Sequence, residues 1–304
     1  MKAKIRELSK YKLLYLLLLP GFLYLLIWHY IPLMGSFIAF KDVPPYAGLS
    51  GMFEARWVGF KHFNIFFSSR YFLNILFNTV IISFYKIVFG FPVPIILALM
   101  LNEVKNARFK KATQTISYLP HFISMVVVAG MLNNILSVNG GIVNAIIKTM
   151  GKEPIFFLGD EKYFRSILVL TGIWQGCGWE SIIYLAAITS VDPQLYEAAT
   201  IDGASKFRQI WSITIPSIMS VVTVMLIMKM GSILSAGFEQ ILLLYSPSVY
   251  SVADIIDTYV YREGILSMKY SFATAVGLFK SVVGLMFIII SNYMSKKFGQ
   301  EGLW

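Results

Sequence analysis

Cysteine is nearly absent from this 304-residue chain. Cys177 stands alone inside an apolar run, so neither an intrachain disulfide nor a cysteine cluster can form. Histidine is almost as scarce, and His29, His62 and His121 are too scattered for metal-ligand spacing. Charge is thin as well. Only 14% of residues are Asp, Glu, Lys or Arg, against roughly 25% in a soluble domain. That leaves too little polar surface to cover soluble cores in a chain of this length. No nucleophile with its base, no acid pair and no metal cluster marks an enzyme site. No internal repeat suggests a solenoid or a propeller.

What the chain has is hydrophobicity: 57% of its residues are apolar and its mean hydropathy is +0.68. Its 26 Lys and Arg outnumber 16 Asp and Glu, for a net charge of +10. This excludes disorder, and a nucleic-acid-binding role lacks the exposed basic face it needs. The expectation is an all-α, polytopic membrane protein with six transmembrane helices, at 13–34, 72–101, 114–137, 163–190, 217–243 and 270–294. Each stretch meets the roughly 20 residues needed to cross a hydrocarbon core of about 30 Å. The first follows a basic segment (Lys2, Lys4, Arg6, Lys10, Lys12) but precedes no small-residue cleavage site, so it reads as a retained span bent at Pro20. Pro120 and His121 interrupt the third, where a straight span and a re-entrant hairpin are both open.

An even number of spans places both termini on one side, with the loops near 102–113 and 191–216. These four short segments hold thirteen Lys and Arg, while the longer loops 35–71, 138–162 and 244–269 together hold nine. The positive-inside rule then puts both termini in the cytoplasm. The predicted organisation is a basic N-terminus (1–12), a first helix (13–34), an extracytoplasmic loop (35–71), a core with five further spans (72–294) and a cytoplasmic tail (295–304). Phe53, Trp57, Phe60, Phe63, Phe66 and Phe67 enrich the outer loop. An interfacial aromatic belt and a docking surface for an extracytoplasmic partner are both compatible with them.

The loop 191–216 specifies two short helices and a sharp turn. Asp192 can cap the first, with Pro193 at the opening position where no hydrogen bond is lost. Leu195, Ala198 and Ala199 share one side, and Gly203 can take the left-handed conformation that ends the helix. Ser205 can cap a second helix, Lys206 to about Trp211, with Pro216 opening the fifth span. By itself this pattern also suits an amphipathic hairpin resting among headgroups.

Ionisable residues inside spans usually face a cavity or a partner. Asn78, Lys86, Trp179, Glu180, Lys229 and Glu239 are the candidates for an aqueous path. Asn74, Asn78 and Tyr85 fall on one face of the second span, and Gly172, Gly176 and Glu180 on one face of the fourth. Ser232, Ser235 and Glu239 align in the fifth. Gly172 with Gly176, and Gly277 with Ser281, read as helix-packing faces. An ion relay through Lys86, Glu180 and Lys229, as in a secondary transporter, fits the same residues.

Residue order in the loop adds a family. Glu197-Ala198-Ala199, Asp202-Gly203-Ala204, Ile213 and Pro216 resemble the EAA loop of binding-protein-dependent ABC import permeases. In that pattern a glycine stands four residues after the second alanine, and nine residues separate it from I-x-L-P. This chain keeps both spacings and ends Ile213-Thr-Ile-Pro216, with Ile215 in place of leucine. Leu195 to Ala204 looks like the carbohydrate branch. Trp57-Val-Gly59-Phe60-Lys-His-Phe63, Tyr118-Leu-Pro120, and Trp174 with Gly178 and Ile183-Tyr184-Leu185-Ala186 are similar to sugar permeases, closest to importers of oligosaccharides or polysaccharide fragments. The resemblance implies a type I importer permease fold forming half of a translocation path. It implies a second, different permease chain, two ATP-binding subunits that hold ATP-Mg, and an extracytoplasmic solute-binding protein. Glu197, Ala198, Ala199, Asp202 and Gly203 would form the coupling helix. The chain has no G-x-x-x-x-G-K-[ST] phosphate loop, so it should bind no cofactor or metal and be no enzyme. Within the class, amino acids, peptides and phosphate remain alternative cargo, and nucleic acid is not a partner.

Overall fold

The computed structural model describes residues 11–297, 299 and 302–303, so Lys2, Lys4, Arg6 and Lys10 lie outside the described residues. The chain groups into two units: residues up to Ser69 with Arg262–Phe279, and Arg70–Tyr261 with Lys280 onward.

In the first unit, α1 (Lys12–Phe40) is a 29-residue apolar helix with almost all side chains exposed. It leads into β1 (Lys41–Asp42), which pairs antiparallel with β2 (Arg56–Trp57), Asp42 opposite Arg56. The helices α2 (Gly48–Glu54) and α3 (Lys61–Phe67) complete this loop region. Its aromatic residues divide. Phe66 is fully buried, its ring meeting those of Phe272 and Phe279 at the start of the last helix. Phe40 stacks on Trp57 and touches Phe60 and Phe63, while Phe53, Trp57 and Phe60 remain largely exposed.

The second unit is a bundle. It comprises α4 (Phe72–Glu103), α5 (Ala107–Phe122), α6 (Met125–Ile135), α7 (Ile142–Thr149), α8 (Glu161–Thr189), α9 (Pro193–Ile201), α10 (Lys206–Gly231), α11 (Phe238–Leu244) and α12 (Ile256–Val260). The later part of α13 (Tyr270–Lys297) belongs to it too. By length and composition α1, α4, α10 and α13 can each cross a membrane, and the bent pair α5–α6 would be a fifth. Helix α8 has 29 residues, length enough to cross, but Gln175, Trp179, Glu180 and four-residue glycine steps dilute its apolar character.

Two expected spans take other forms. The third is not straight: α5 and α6 meet at 97°. Pro120 tightens the end of α5 to a 3₁₀ turn, Ile123 is extended, and the Ser124 hydroxyl accepts from the Val127 amide to start α6. The fifth, expected at 217–243, runs from Lys206 to Gly231 and breaks. Ala236 (φ 46°) and Gly237 (φ 84°) adopt left-handed backbone before α11 begins. Glu239 therefore does not share a helical face with Ser232 and Ser235.

Proline punctuates the long helices without ending them. Helix α1 continues as helix through Pro20. Three π-turns, Leu26–Tyr30, Lys86–Gly90 and Ile210–Thr214, each end two residues before a proline: Pro32, Pro92 and Pro216. A proline ring clashes with the carbonyl four residues earlier, and residues 28, 88 and 212 are the central residues of these turns. Widening the turn moves that carbonyl aside. For this reason Lys206 to Gly231 is one helix, and the second element of the loop is its first turns, not a separate short helix.

Among lipid tails apolar burial drives helices together only weakly, so close packing has to hold the bundle. Ala98, Tyr184, Ile188 and Ile218 form one buried cluster joining α4, α8 and α10. Ile82, Ala129, Phe164, Leu168, Ile241 and Val249 lie in another. At Gly178 a Cβ would stand 2.0 Å from the Ser117 carbonyl oxygen, so only glycine lets α5 approach α8. At Gly284 a Cβ would stand 2.8 Å from the Gly231 carbonyl oxygen, where α13 meets α10. The expected packing glycines differ: a Cβ on Gly172 or Gly277 would meet nothing within 4 Å.

Candidate functional site

Two regions carry chemistry. The first is the hairpin formed by α9 and the start of α10. Asp192 Oδ1 accepts from the Gln194 amide at 2.9 Å, with Pro193 in the first helical position. At the other end the Gly203 amide donates to the Thr200 carbonyl (3.1 Å) and the Ala204 amide to the Ala199 carbonyl (2.8 Å). Gly203 has φ +75°. This is a Schellman motif, with Asp202 as C-cap. The spacing of Ala199 to Gly203 is thus the spacing of the helix stop itself. Ser205 then accepts from the Arg208 amide to open α10.

Side chains lock the two arms together. The Tyr196 hydroxyl bonds the Thr214 hydroxyl at 2.9 Å, and Gln209 Nε2 donates to Thr200 Oγ1 and to the Ala204 carbonyl. Tyr196 and Thr200 bond to α10, while Glu197 and Ala198 face outward, as do Asp202 and Gly203. Ala199 is half-buried. Leu195, Ile201, Phe207 and Trp211 are exposed as well, Ile201 at 87%. An isolated surface hairpin gains nothing from that much uncovered apolar area.

The second region lies between α4, α8 and α10. A cavity of about 170 Å³ is lined by Lys86, Gly90, Pro94, Gly172, Gly176 and Glu180, with Lys229. A second, about 200 Å³, has Lys86 and Lys229 on its wall too, with Ser232 and Ser235. Lys229 Nζ donates to both carboxylate oxygens of Glu180 at 2.8 Å, and both side chains are about one-third exposed (31% and 33%). Lys86 Nζ donates to the Ala236 carbonyl (3.0 Å) and to Gln240 Oε1 (2.7 Å). Gln240 Nε2 in turn donates to the Leu168 carbonyl. Lys86 thereby holds the left-handed break between α10 and α11 against α4. A Cβ on Gly237 would meet Nζ at 2.3 Å.

The predicted path residues are thus dispersed. Glu180 and Lys229 come together. Trp179 lies on the neighbouring face of α8, stacked on His121 (4.8 Å, 2°) with Phe122 edge-on, where it supports the α5–α6 bend. Gln175 donates to the Ile123 carbonyl at the same bend. Glu239 is exposed in the first turn of α11, apart from the cavity. Asn78 is out of a solute's reach. It is 1% exposed, its amide donates to the Ser251 and Asp254 carbonyls, and its oxygen accepts from Arg165 at 2.7 Å. Gly172 and Gly176, expected to pack helices, open onto the cavity: a Cβ on Gly172 would meet nothing within 4 Å, and one on Gly176 only Glu180 Oε1 at 3.6 Å.

Sequence reasoning passed over two further cations inside the expected spans, Arg165 and Lys280. Arg165 ties Asn78 and the Val252 carbonyl, and Lys280 pairs with Asp257 where both are mostly buried. Their positions inside apolar stretches were the available signal.

Comparison with known proteins follows the same lines. A family described as "Binding-protein-dependent transport system inner membrane component" matches residues 90–300. The polygalacturonan/rhamnogalacturonan transport system permease protein YteP of Bacillus subtilis (strain 168) is 47% identical over 98% of this chain and 92% of its own length. The protein LplB of the same organism is 47% identical with the same coverage. The arabinooligosaccharides transport system permease protein AraP is 26% identical over 95% of this chain and 90% of its own. Among solved structures, a chain of a bacterial alginate ABC transporter in complex with alginate pentasaccharide-bound periplasmic protein superposes with a TM-score of 0.89. It is 41% identical and covers 98% of this chain and 99% of its own.

Proposed function

The chain belongs to the binding-protein-dependent transport system inner membrane component family, and on that premise we propose that it forms half of the translocation path of an ATP-driven importer of oligosaccharides or polysaccharide fragments. Members of this family are transport components, and the chain is a permease, not an enzyme. Six crossings, with α8 and the bent pair α5–α6 included, and both termini cytoplasmic, are part of this reading. So are a second, different permease chain, two ATP-binding subunits that hold ATP-Mg, and an extracytoplasmic solute-binding protein. The relatives' names carry the cargo: polygalacturonan and rhamnogalacturonan, arabinooligosaccharides, alginate.

The observation that supports coupling is the hairpin. Its helix is stopped by a Schellman motif and latched to α10 at Tyr196 and Thr200, which leaves Glu197, Ala198 and Ile201 projecting on a stiff lever. Such a surface can be pushed by an ATPase subunit and pass the displacement into α10 as a rigid body. The chain's own contribution is mechanical: α10 carries Lys229, so motion of the hairpin moves one wall of the charged cavity.

Ala198→Trp tests this. The side chain is exposed, so the permease should fold and insert normally, while the ATPase subunits no longer seat. Expected is at least a tenfold loss of transport with unchanged permease abundance, read in proteoliposomes holding the complete complex. Wild-type transport and wild-type ATP turnover in that variant would refute the coupling role.

A further inference from the structure

We propose that the cavity between α4, α8 and α10 is a receptor for one carboxylate, and that Glu180 is its internal stand-in. The inference rests on the import reading above and adds the chemical class of the cargo: a sugar chain bearing carboxylates. The argument begins with a charge count. The wall holds two ammonium groups, Lys86 and Lys229, and one carboxylate, Glu180. Lys229 is matched by Glu180 through both oxygens at 2.8 Å. Lys86 has neutral acceptors only, a carbonyl and an amide oxygen, and among the described residues no carboxylate pairs with it. The cavity therefore carries one positive charge in excess, in surroundings where an uncompensated charge is expensive.

One added carboxylate makes the set neutral. A neutral sugar does not, and it would have to displace the Glu180–Lys229 pair while offering only hydroxyl dipoles in return. An acidic sugar exchanges like for like. Its carboxylate takes the two donor positions on Lys229 that Glu180 occupies, and Glu180 is released toward the second ammonium on the same wall. Every carboxylate faces a cation before and after, and the count of carboxylates rises from one to match the two cations, so the exchange avoids the desolvation penalty of breaking a partly buried pair outright. The partial exposure of both groups gives a solute access to the exchange. A Cβ on Gly172 would meet nothing within 4 Å, and one on Gly176 only Glu180 Oε1 at 3.6 Å, so the wall is open beside the carboxylate that the solute would replace. Relatives named for polygalacturonan and alginate act on carboxylated polymers, in keeping with the count.

The test compares a short oligogalacturonide with its carboxyl-reduced counterpart, each first shown by calorimetry to load the complex's binding protein. Uptake into proteoliposomes is measured per loaded binding protein and expressed as the acidic-to-reduced ratio. Wild type should favour the acidic probe. Lys229→Gln should lower the ratio by about tenfold, the scale of one hydrogen-bonded ionic contact. Glu180→Gln, which removes the competitor, should raise it. Opposite signs for the two halves of one ion pair are the signature, since a merely structural pair would move the ratio in the same direction on losing either partner. A wild-type ratio of one with good uptake, or ratios that fall together in both variants, overturns the receptor and leaves the import reading intact. Uptake of neither probe by wild type overturns the import reading, and the receptor with it.

Discussion

The hairpin at 192–214 and the cavity around Glu180 and Lys229 are built on opposite principles. Almost every bond that shapes the hairpin joins residues fewer than twenty positions apart: Asp192 to Gln194, Ala199 to Ala204, Thr200 to Gln209, Tyr196 to Thr214. The side-chain bonds that fix the cavity's charged groups run between distant helices. Glu180 meets Lys229 from 49 positions away, and Lys86 reaches Gln240 across 154. A locally closed element can be displaced as one piece without losing its own bonds. A cavity assembled from distant helices changes shape whenever any one of them shifts. Placing the first on the end of a helix that lines the second joins a rigid element to a deformable one, the arrangement that the proposed coupling requires.

That contrast can be broken at graded points. The largest effect belongs to Gly178→Val. Its side chain would be driven into the Ser117 carbonyl, parting α5 from α8 and costing about 3 kcal/mol or more. The expected result is little or no folded permease in detergent, read as loss of the monodisperse peak in size exclusion. Asn78→Ala comes next. It strips Arg165 of one acceptor and takes one donor from the Ser251 and Asp254 carbonyls, which should cost about 1–3 kcal/mol. Here the complex should assemble but melt several degrees lower, and a melting temperature equal to wild type would remove Asn78 from the framework.

Gly203→Ala should be smaller and confined. The position is open, so the penalty is only the left-handed backbone of an L-residue, about 1 kcal/mol. Global melting should barely move, while hydrogen exchange at Gly203 and Ala204 amides accelerates severalfold. Acceleration spread through α8 and α10 would contradict the local character of the hairpin.

The smallest effect is at the exposed ion pair between Asp42 and Lys61. Asp42 is held below the usual carboxylate range, first by its hydrogen bond to Lys61 and then by the nearby positive charges of Lys61, His62 and Arg56. A carboxyl depressed in the folded state stabilises above its unfolded pKa and loses that contribution as pH falls through the folded value. Both partners are half exposed, so screening keeps the contribution slight. The melting difference between wild type and Asp42→Asn should be small near neutrality and should close on acidification below about pH 4. A difference that widened on acidification would reverse the assigned sign.

The hairpin was legible because its grammar is local. A cap at Asp192, a proline beside it, a left-handed glycine and a second cap at Ser205 can be read in order, and the structure keeps each of them. Where the reading stayed open, at the third span, or failed, at the fifth, a distant contact had intervened. The α5–α6 bend depends on Gln175 and Trp179 in α8, and the break after Gly231 is fastened by Lys86 in α4. Asn78 has the composition of a pore residue and the environment of a framework one, a distinction that only its three partners reveal.

The sequence alone determined a basic, apolar, helical chain and the family to which it belongs. These follow from composition and short spacing. The tertiary structure decided which charges meet, which glycines separate helices and which open a cavity, and that a proline two residues beyond each of three π-turns bends hydrogen bonding without ending a helix. The physical reason is range. Backbone stops and caps are satisfied within a few residues, whereas a charge inside a membrane must find its partner wherever the fold brings one.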